Sequence, residues 1–160
     1  MAAERWNPRL ATADDAAAVA RLLHDFNTEF DTPTPGTDVL AARLRALLGS
    51  DSTVAILAGD PPAGAALVTL RPNVWYAGPV ALLDELYVVP HLRGQGAGSA
   101  IIGLLFATAR DRGVDLIEIN VDESDVGAQR FYERHGFSAT ATPGSPERSF
   151  YYSLELTTEE

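Results

Sequence analysis

The strongest constraint on the fold lies between residues 80 and 121. The run VALLDELYVV (80–89) is apolar except for Asp84 and Glu85, and Pro90 closes it. The stretch Arg93-Gly94-Gln95-Gly96-Ala97-Gly98 follows, leading into the apolar sequence AGSAIIGLLFATARD (97–111) and a stop at Gly113. Residues 116–121 form another short apolar run. The pattern predicts a strand, a helix and a buried strand. Two strands joined through a helix lie parallel, with a right-handed crossover.

The other segments build around this unit. Residues 12–30 are predicted helical: Ala18, Leu22 and Phe26 recur at four-residue spacing, with Val19 and Leu23 beside them. Thr12 is a suitable N-cap, with Asp14 and Asp15 favourable in the first turn. The prolines of DTPTPG (31–36) stop that helix. A second helix runs from Thr37 or Asp38 to about Leu48, with Gly49 as its stop. Strands are predicted at 52–58 and 64–70 around the turn GDPPAG, an irregular or edge segment at 71–79, a helix at 126–134 ending at Gly136, and a strand at 150–156. There is no internal repeat. The expectation is a mixed α/β (α+β) single domain over residues 1–160. A chain of this length buries roughly 70 % of its unfolded surface, enough for a core without staples.

Composition narrows the function. The chain has no cysteine, which removes disulfides, thiolate metal sites and a cysteine nucleophile, and fits a reducing compartment. No His or carboxylate cluster has metal-ligand spacing, so no metal is expected. The net charge is −10, from 22 acidic and 12 basic residues, and every basic residue is arginine. That sign argues against a nucleic-acid partner and fits either a cationic partner or plain solubility. No run approaches the roughly 18 apolar residues of a membrane span. The polar start MAAERWNPRL does not read as a signal peptide, so a cytoplasmic location is expected.

The glycine-rich turn carries the chemistry. Glycine permits positive φ and close backbone approach. The N–H groups at a helix start lack intrahelical partners and bind anions, phosphate or pyrophosphate above all, with Arg93 adding a cation. A P-loop is excluded because there is no lysine. A dinucleotide fingerprint is broken at Ser99 or Ile101, depending on the starting glycine, although Glu118 lies where a ribose-binding acid is sought. A purely structural turn is the remaining reading.

The segment Leu86 to Gly98 resembles the acyl-CoA motif of the GCN5-related N-acetyltransferase (GNAT) family, Gln/Arg-x-x-Gly-x-Gly/Ala, met here by Arg93, Gly96 and Gly98. Residues 125–137, from Asp125 to Phe137, resemble the family's second motif, Asn-x-x-Ala-x-x-Phe-Tyr-x-x-x-Gly-Phe, with Asp125 in place of the usual Asn. As N-caps the two are nearly equivalent. If that side chain touches the CoA arm, the added charge weakens or reorients binding. The resemblance is close over residues 80–138 and holds in element order elsewhere.

The resemblance implies a central mixed sheet splayed into a V and flanked by about four helices, with acetyl-CoA as co-substrate in the cleft. Its pyrophosphate would lie on the backbone of Arg93, Gly94, Gln95, Gly96, Ala97 and Gly98. Ser99, Asp125, Ala128 and Phe131 would complete the contacts. The backbone of Tyr87, Val88 and Val89 would pair with the pantetheine arm as an added strand does. The implied activity is transfer of an acetyl group to a primary amine in a ternary complex. Tyr132 would protonate the leaving thiolate, its phenol having a pKa of about 10, and the Val88 N–H would receive the oxyanion. Asp84 and Glu85 are candidates for the base that takes the amine proton, or equally for a structural charge. Strand alternation lets at most one of them face a given side. His24, Asp25 and Glu29 on the first helix, with Trp75 and Tyr76, are candidate acceptor contacts. Each of these, taken singly, also reads as surface or ordinary packing. The acidic balance favours a small cationic acceptor. A protein N-terminus or lysine as acceptor, and a non-catalytic acyl-CoA-binding module, are the alternatives. A homodimer is compatible with the family.

Overall fold

The computed structural model describes residues 2–140, 142 and 144–156, and the chain divides into two compact units, Met1–Ile119 and Asn120–Glu160. The first unit holds α1 (Ala2–Trp6), β1 (Arg9–Leu10), α2 (Ala16–Glu29), α3 (Thr37–Leu48), β2 (Thr53–Ala58), β3 (Gly64–Arg71), β4 (Val80–Val88), α4 (Ala97–Asp111) and β5 (Ile117–Ile119). The second holds α5 (Val126–Arg134).

Helices α3, α4 and α5 have the bounds their sequences predict. Helix α2 starts later than expected, after a 3-10 turn at Ala13–Asp15. The cause is the Asp15 carboxylate. It accepts the Thr12 N–H at 2.8 Å and takes the Arg9 guanidinium through both oxygens, each at 2.8 Å. Elements α1 and β1 are only five and two residues long, too short to leave a periodic signature in the sequence.

The sheet has the order β1-β2-β3-β4-β5. Its first four strands are antiparallel neighbours, and β4 and β5 are parallel, as the intervening helix requires. Directly opposed residues share a face. One face carries Ala55, Leu57, Ala65 and Tyr87, packed with Val19 and Leu22 of α2 and Ala41 and Leu44 of α3. The other face carries Val54, Val68 and Ala81 beneath Leu105, Thr108 and Ala109 of α4. Leu22, Ile56 and Ile101 are fully buried, each contributing about 1.5–3 kcal/mol of hydrophobic stabilisation. Near the start of β4 the chain passes so close to the α4–β5 turn that a Cβ on Gly78 would run into the carbonyl oxygen of Gly113.

The strand expected at 150–156 is not formed. Residues 150–156 have no regular structure, and Phe150, Tyr151, Tyr152, Leu154 and Leu156 are exposed. The nearest ladder contact is an isolated antiparallel bridge between Thr140 and Arg148. Alternation marks the faces a strand would present, but a strand exists only where a neighbour supplies its hydrogen bonds.

Candidate active site

The site grows from an irregularity in β4. Leu67 of β3 faces Glu85 and Val68 faces Leu83, so Asp84 is an extra residue, a β-bulge. The bulge resets the alternation. Asp84 accepts a hydrogen bond from the Thr69 hydroxyl at 2.5 Å, on the face toward α2 and α3, and Glu85 lies opposite Leu67 on that same face. The expectation that only one of the two acids could face a given side is thereby corrected. Burial pushes the Glu85 carboxyl above its ordinary range, and the neighbouring Asp84 charge pushes it further. Asp84 itself is exposed.

The same bulge marks where β4 leaves β5. The parallel ladder runs Ala81–Ile117, Leu82–Glu118, Leu83–Ile119 and ends there. Beyond it β4 keeps β3 on one edge, and no ladder partner is found on the other among the described residues. The Val89 N–H donates to the Ala63 carbonyl at 2.9 Å, so Tyr87 and Glu85 also turn their backbone groups toward β3. Leu86 and Val88 therefore direct theirs to the open edge. Of the three residues expected to offer backbone to a pantetheine arm, Val88 faces that edge, while Tyr87 and Val89 face β3. Leu86 was not singled out, and counting by twos from Val88 reaches it.

Past β4, Pro90–Leu92 form a 3-10 turn and the chain enters the glycine-rich segment. Gly94 has φ +73 and Gly96 φ +93, both left-handed, a conformation that glycine permits. Gly96 is the N-cap of α4, and the first helical bond is Ala100 N–H to Gly96 carbonyl at 3.0 Å. The N–H groups of Ala97 and Gly98 precede that bond and mark the positive end of the helix. Ser99 follows in the first turn and is exposed. Gln95 is held from α1: the Trp6 indole N–H donates to its carbonyl at 2.9 Å, and Arg5 to its side-chain oxygen at 2.7 Å.

Arg93 does not extend from this turn as a free cation. Its Nε donates to the Val88 carbonyl at 2.8 Å, its Nη2 to Glu29 Oε1 at 2.8 Å, and its guanidinium lies 5.4 Å from the centre of the Tyr87 ring. The Tyr87 hydroxyl also donates to Glu29, at 3.2 Å, and the ring stacks on Phe26 at 5.1 Å. Arg93 holds the Glu29 carboxyl below its usual range, while burial first and then Glu29 raise the Tyr87 phenol. Glu29, an expected acceptor contact, thus ties the end of α2 to the end of β4. His24 lies one helical turn and more away from it on α2, with Nδ1 3.1 Å from the Thr34 hydroxyl. Trp75 and Tyr76 sit elsewhere. They belong to the β3–β4 loop, whose Asn73 side-chain oxygen caps both of their N–H groups at 2.8 and 2.9 Å. The glycine turn leaves the opposite end of β4, a strand length of roughly 26 Å away at about 3.3 Å per residue.

In the second unit, Asp125 is the N-cap of α5 and its Oδ1 accepts the Ala128 N–H at 2.9 Å, as an Asn would. Along α5, Tyr132 packs edge-to-face with Phe131 at 5.2 Å and with Phe137 at 5.6 Å. His135 ends the helix, and burial lowers its pKa. Among the described residues no group of three or more His, Asp or Glu side chains could hold a metal ion, and no helix is long and apolar enough to cross a membrane.

Residues 17–137 match the model of the Acetyltransferase (GNAT) family. The chain belongs to the GNAT acetyltransferases. This GNAT chain is 26 % identical over 133 residues to the N-acetyltransferase YhfO of Bacillus subtilis, covering 82 % of this chain and 89 % of that one. It is 30 % identical over 153 residues to an aminoglycoside N(6')-acetyltransferase type 1 of Stenotrophomonas maltophilia, covering 92 % of each. A crystal structure from Arthrobacter sp. FB24, described as an acetyltransferase, superimposes with a TM-score of 0.87 at 56 % identity, over 93 % of this chain and 95 % of that one. The open mixed sheet with flanking helices is the fold shared with the Arthrobacter structure, and the protein is an N-acetyltransferase enzyme.

Proposed function

We propose that this GNAT protein transfers the acetyl group of acetyl-CoA to a primary amine of a small, cationic acceptor. The observation that carries this reading is the bulge at Asp84. At one point of β4 it turns two carboxylates onto one face and opens the strand's outer edge. The left-handed Gly94 and Gly96 and the open edge at Leu86 and Val88 fit the pyrophosphate and the amide arm of acetyl-CoA, which supplies an activated thioester. Gly94 has nothing within 4 Å of an added Cβ, so the space beside this turn is open.

The residues divide the work by chemistry. Glu85, whose carboxyl is held above its ordinary range by burial beside Asp84, takes the amine proton directly or through water. The outward N–H of Val88 receives the negative charge that develops on the carbonyl oxygen. Tyr132 donates a proton to the departing sulfur. Asp84 and the net charge of −10 favour a cationic acceptor. The relative from Stenotrophomonas maltophilia, named for aminoglycosides, adds support for a polyamine-like small molecule.

The test is calorimetric titration with acetyl-CoA, with NADH as control. A thiol-release screen of aminoglycosides, polyamines, amino-acid derivatives and peptide N-termini follows. Binding of acetyl-CoA and turnover with a small cationic amine are the expected results. Turnover confined to peptides would replace the acceptor, and tight binding without any turnover would leave an acyl-CoA-binding module.

A further inference from the structure

Neither motif includes Arg5 or Trp6, yet both reach the glycine-rich turn. Trp6 is 5 % exposed, and its Nε1–H donates to the Gln95 carbonyl at 2.9 Å. The Trp6 carbonyl in turn accepts the Gly59 N–H at 2.7 Å, fixing α1 to the end of β2. Arg5 Nη2 donates to Gln95 Oε1 at 2.7 Å and lies 5.0 Å from the Trp6 ring centre. Gln95 Nε2 reaches the His91 carbonyl at 3.4 Å. Gln95 is therefore held by both main chain and side chain.

The main-chain bond has a directional consequence. In a trans peptide the C=O and the following N–H point in opposite senses. With the Gln95 carbonyl drawn onto the Trp6 indole, the Gly96 N–H points away from Trp6. In the chain it directly precedes the N–H groups of Ala97 and Gly98 at the start of α4. Two left-handed glycines flank Gln95, so without an anchor this peptide plane turns at little steric cost.

We infer that Trp6 is a positioning residue for the co-substrate: by holding the Gln95 carbonyl it aims the Gly96 N–H at the pyrophosphate of acetyl-CoA. The inference rests on the proposed use of acetyl-CoA. Arg5 assists by restraining the Gln95 side chain. Neither residue touches the acceptor or the reacting atoms.

The experiment compares wild type, Trp6→Phe and Arg5→Ala with two acetyl donors, acetyl-CoA and acetyl-pantetheine, the second lacking the pyrophosphate. Trp6→Phe keeps an aromatic ring in place and removes the indole N–H. Loss of one neutral hydrogen bond that orders a ligand group is expected to raise KM and calorimetric Kd for acetyl-CoA about fivefold. The acceptor KM, kcat at saturating donor, and the KM for acetyl-pantetheine should stay unchanged. Arg5→Ala should show the same split, about twofold. If wild type binds no acetyl-CoA, the proposed function fails and the inference with it. If wild type binds acetyl-CoA but Trp6→Phe does so equally well, or both donors lose equally, Trp6 is only a packing residue and the proposed function stands. Circular dichroism and thermal melting of each variant identify a folding defect. Should Trp6→Phe be unfolded, the donor split in Arg5→Ala decides.

Discussion

Replacing Glu85 by Gln and Asp84 by Asn tests whether the acidic pair at the bulge is a working base. A general base within hydrogen-bond reach contributes about 10²–10⁴-fold to rate, or about 2.7–5.4 kcal/mol of barrier at 1.36 kcal/mol per decade. Glu85→Gln is therefore expected to lower kcat/KM at pH 7 by that factor. The deficit should shrink as pH rises and the acceptor amine deprotonates in solution. Asp84→Asn keeps an oxygen for the Thr69 hydroxyl but removes the like charge beside Glu85. The acid limb of kcat/KM should then move to lower pH, because one cause of the raised Glu85 pKa is gone.

Stability has the opposite sign from activity. Glu85 is raised in the folded protein, so between its ordinary and raised pKa the native state binds more protons than the unfolded chain. Stability then falls as pH climbs through that window. Glu85→Gln lacks this fall and should be at least as stable as wild type at pH 7 in urea unfolding. The assay is initial-rate thiol release from pH 5 to 10 with a small amine held well below its KM, so that the rate reads kcat/KM. An equal loss at every pH, or an acid limb unmoved in Asp84→Asn, would refute the base assignment and leave Glu85 a binding or structural acid.

Tyr132→Phe should lower kcat about a hundredfold through loss of a proton donor, with the acetyl-CoA KM little changed; steady-state kinetics checks it. Gly96→Ala places a Cβ at φ +93 and should cost about 1–2 kcal/mol in urea unfolding, together with a weaker calorimetric Kd for acetyl-CoA. The Arg9 pairing holds the Asp15 carboxyl well below the usual carboxylate range, so its contribution is present above that range and lost progressively as pH falls below it toward the lowered folded pKa. Asp15→Asn should therefore cost under about 1 kcal/mol at pH 7, the pair being partly exposed. The difference from wild type should narrow in acid, as read by chemical denaturation at pH 7 and pH 2.

Much of the fold could be read because its elements are long and bounded by strong stops. Pro90, Gly49, Gly113 and Gly136 mark ends that the structure keeps, and α4 is apolar over fifteen residues between two of them. The failures occur where structure depends on a partner and not on the local pattern. The final part of residues 150–156 alternates as a strand should, yet no ladder forms there. Strand β1 exists because Leu57 and Ile56 of β2 lie opposite Arg9 and Leu10, not because two residues carry a propensity. Asp15 was expected inside the first turn of a helix. Its two bonds to Arg9 hold it just outside, a long-side-chain effect that periodicity does not record.

The candidate site was legible in its residue types and less so in its directions. Arg93 belongs to the motif, but its role at rest depends on Glu29, 64 residues earlier, and on a carbonyl five residues back. A positive charge was expected at the anion site. The structure gives a cross-link that closes the end of β4 onto α2, so in the proposed site the backbone N–H groups and the helix terminus would favour the anion. The acidic pair shows the same limit. Strict alternation separates Asp84 from Glu85, whereas one inserted residue puts them on one face and ends the β5 ladder at Leu83. The carboxylate pair and the strand edge freed beside it thus share one cause. A substitution that removes the bulge should therefore disturb acceptor chemistry and donor binding together, while changing either carboxylate alone should affect only the former.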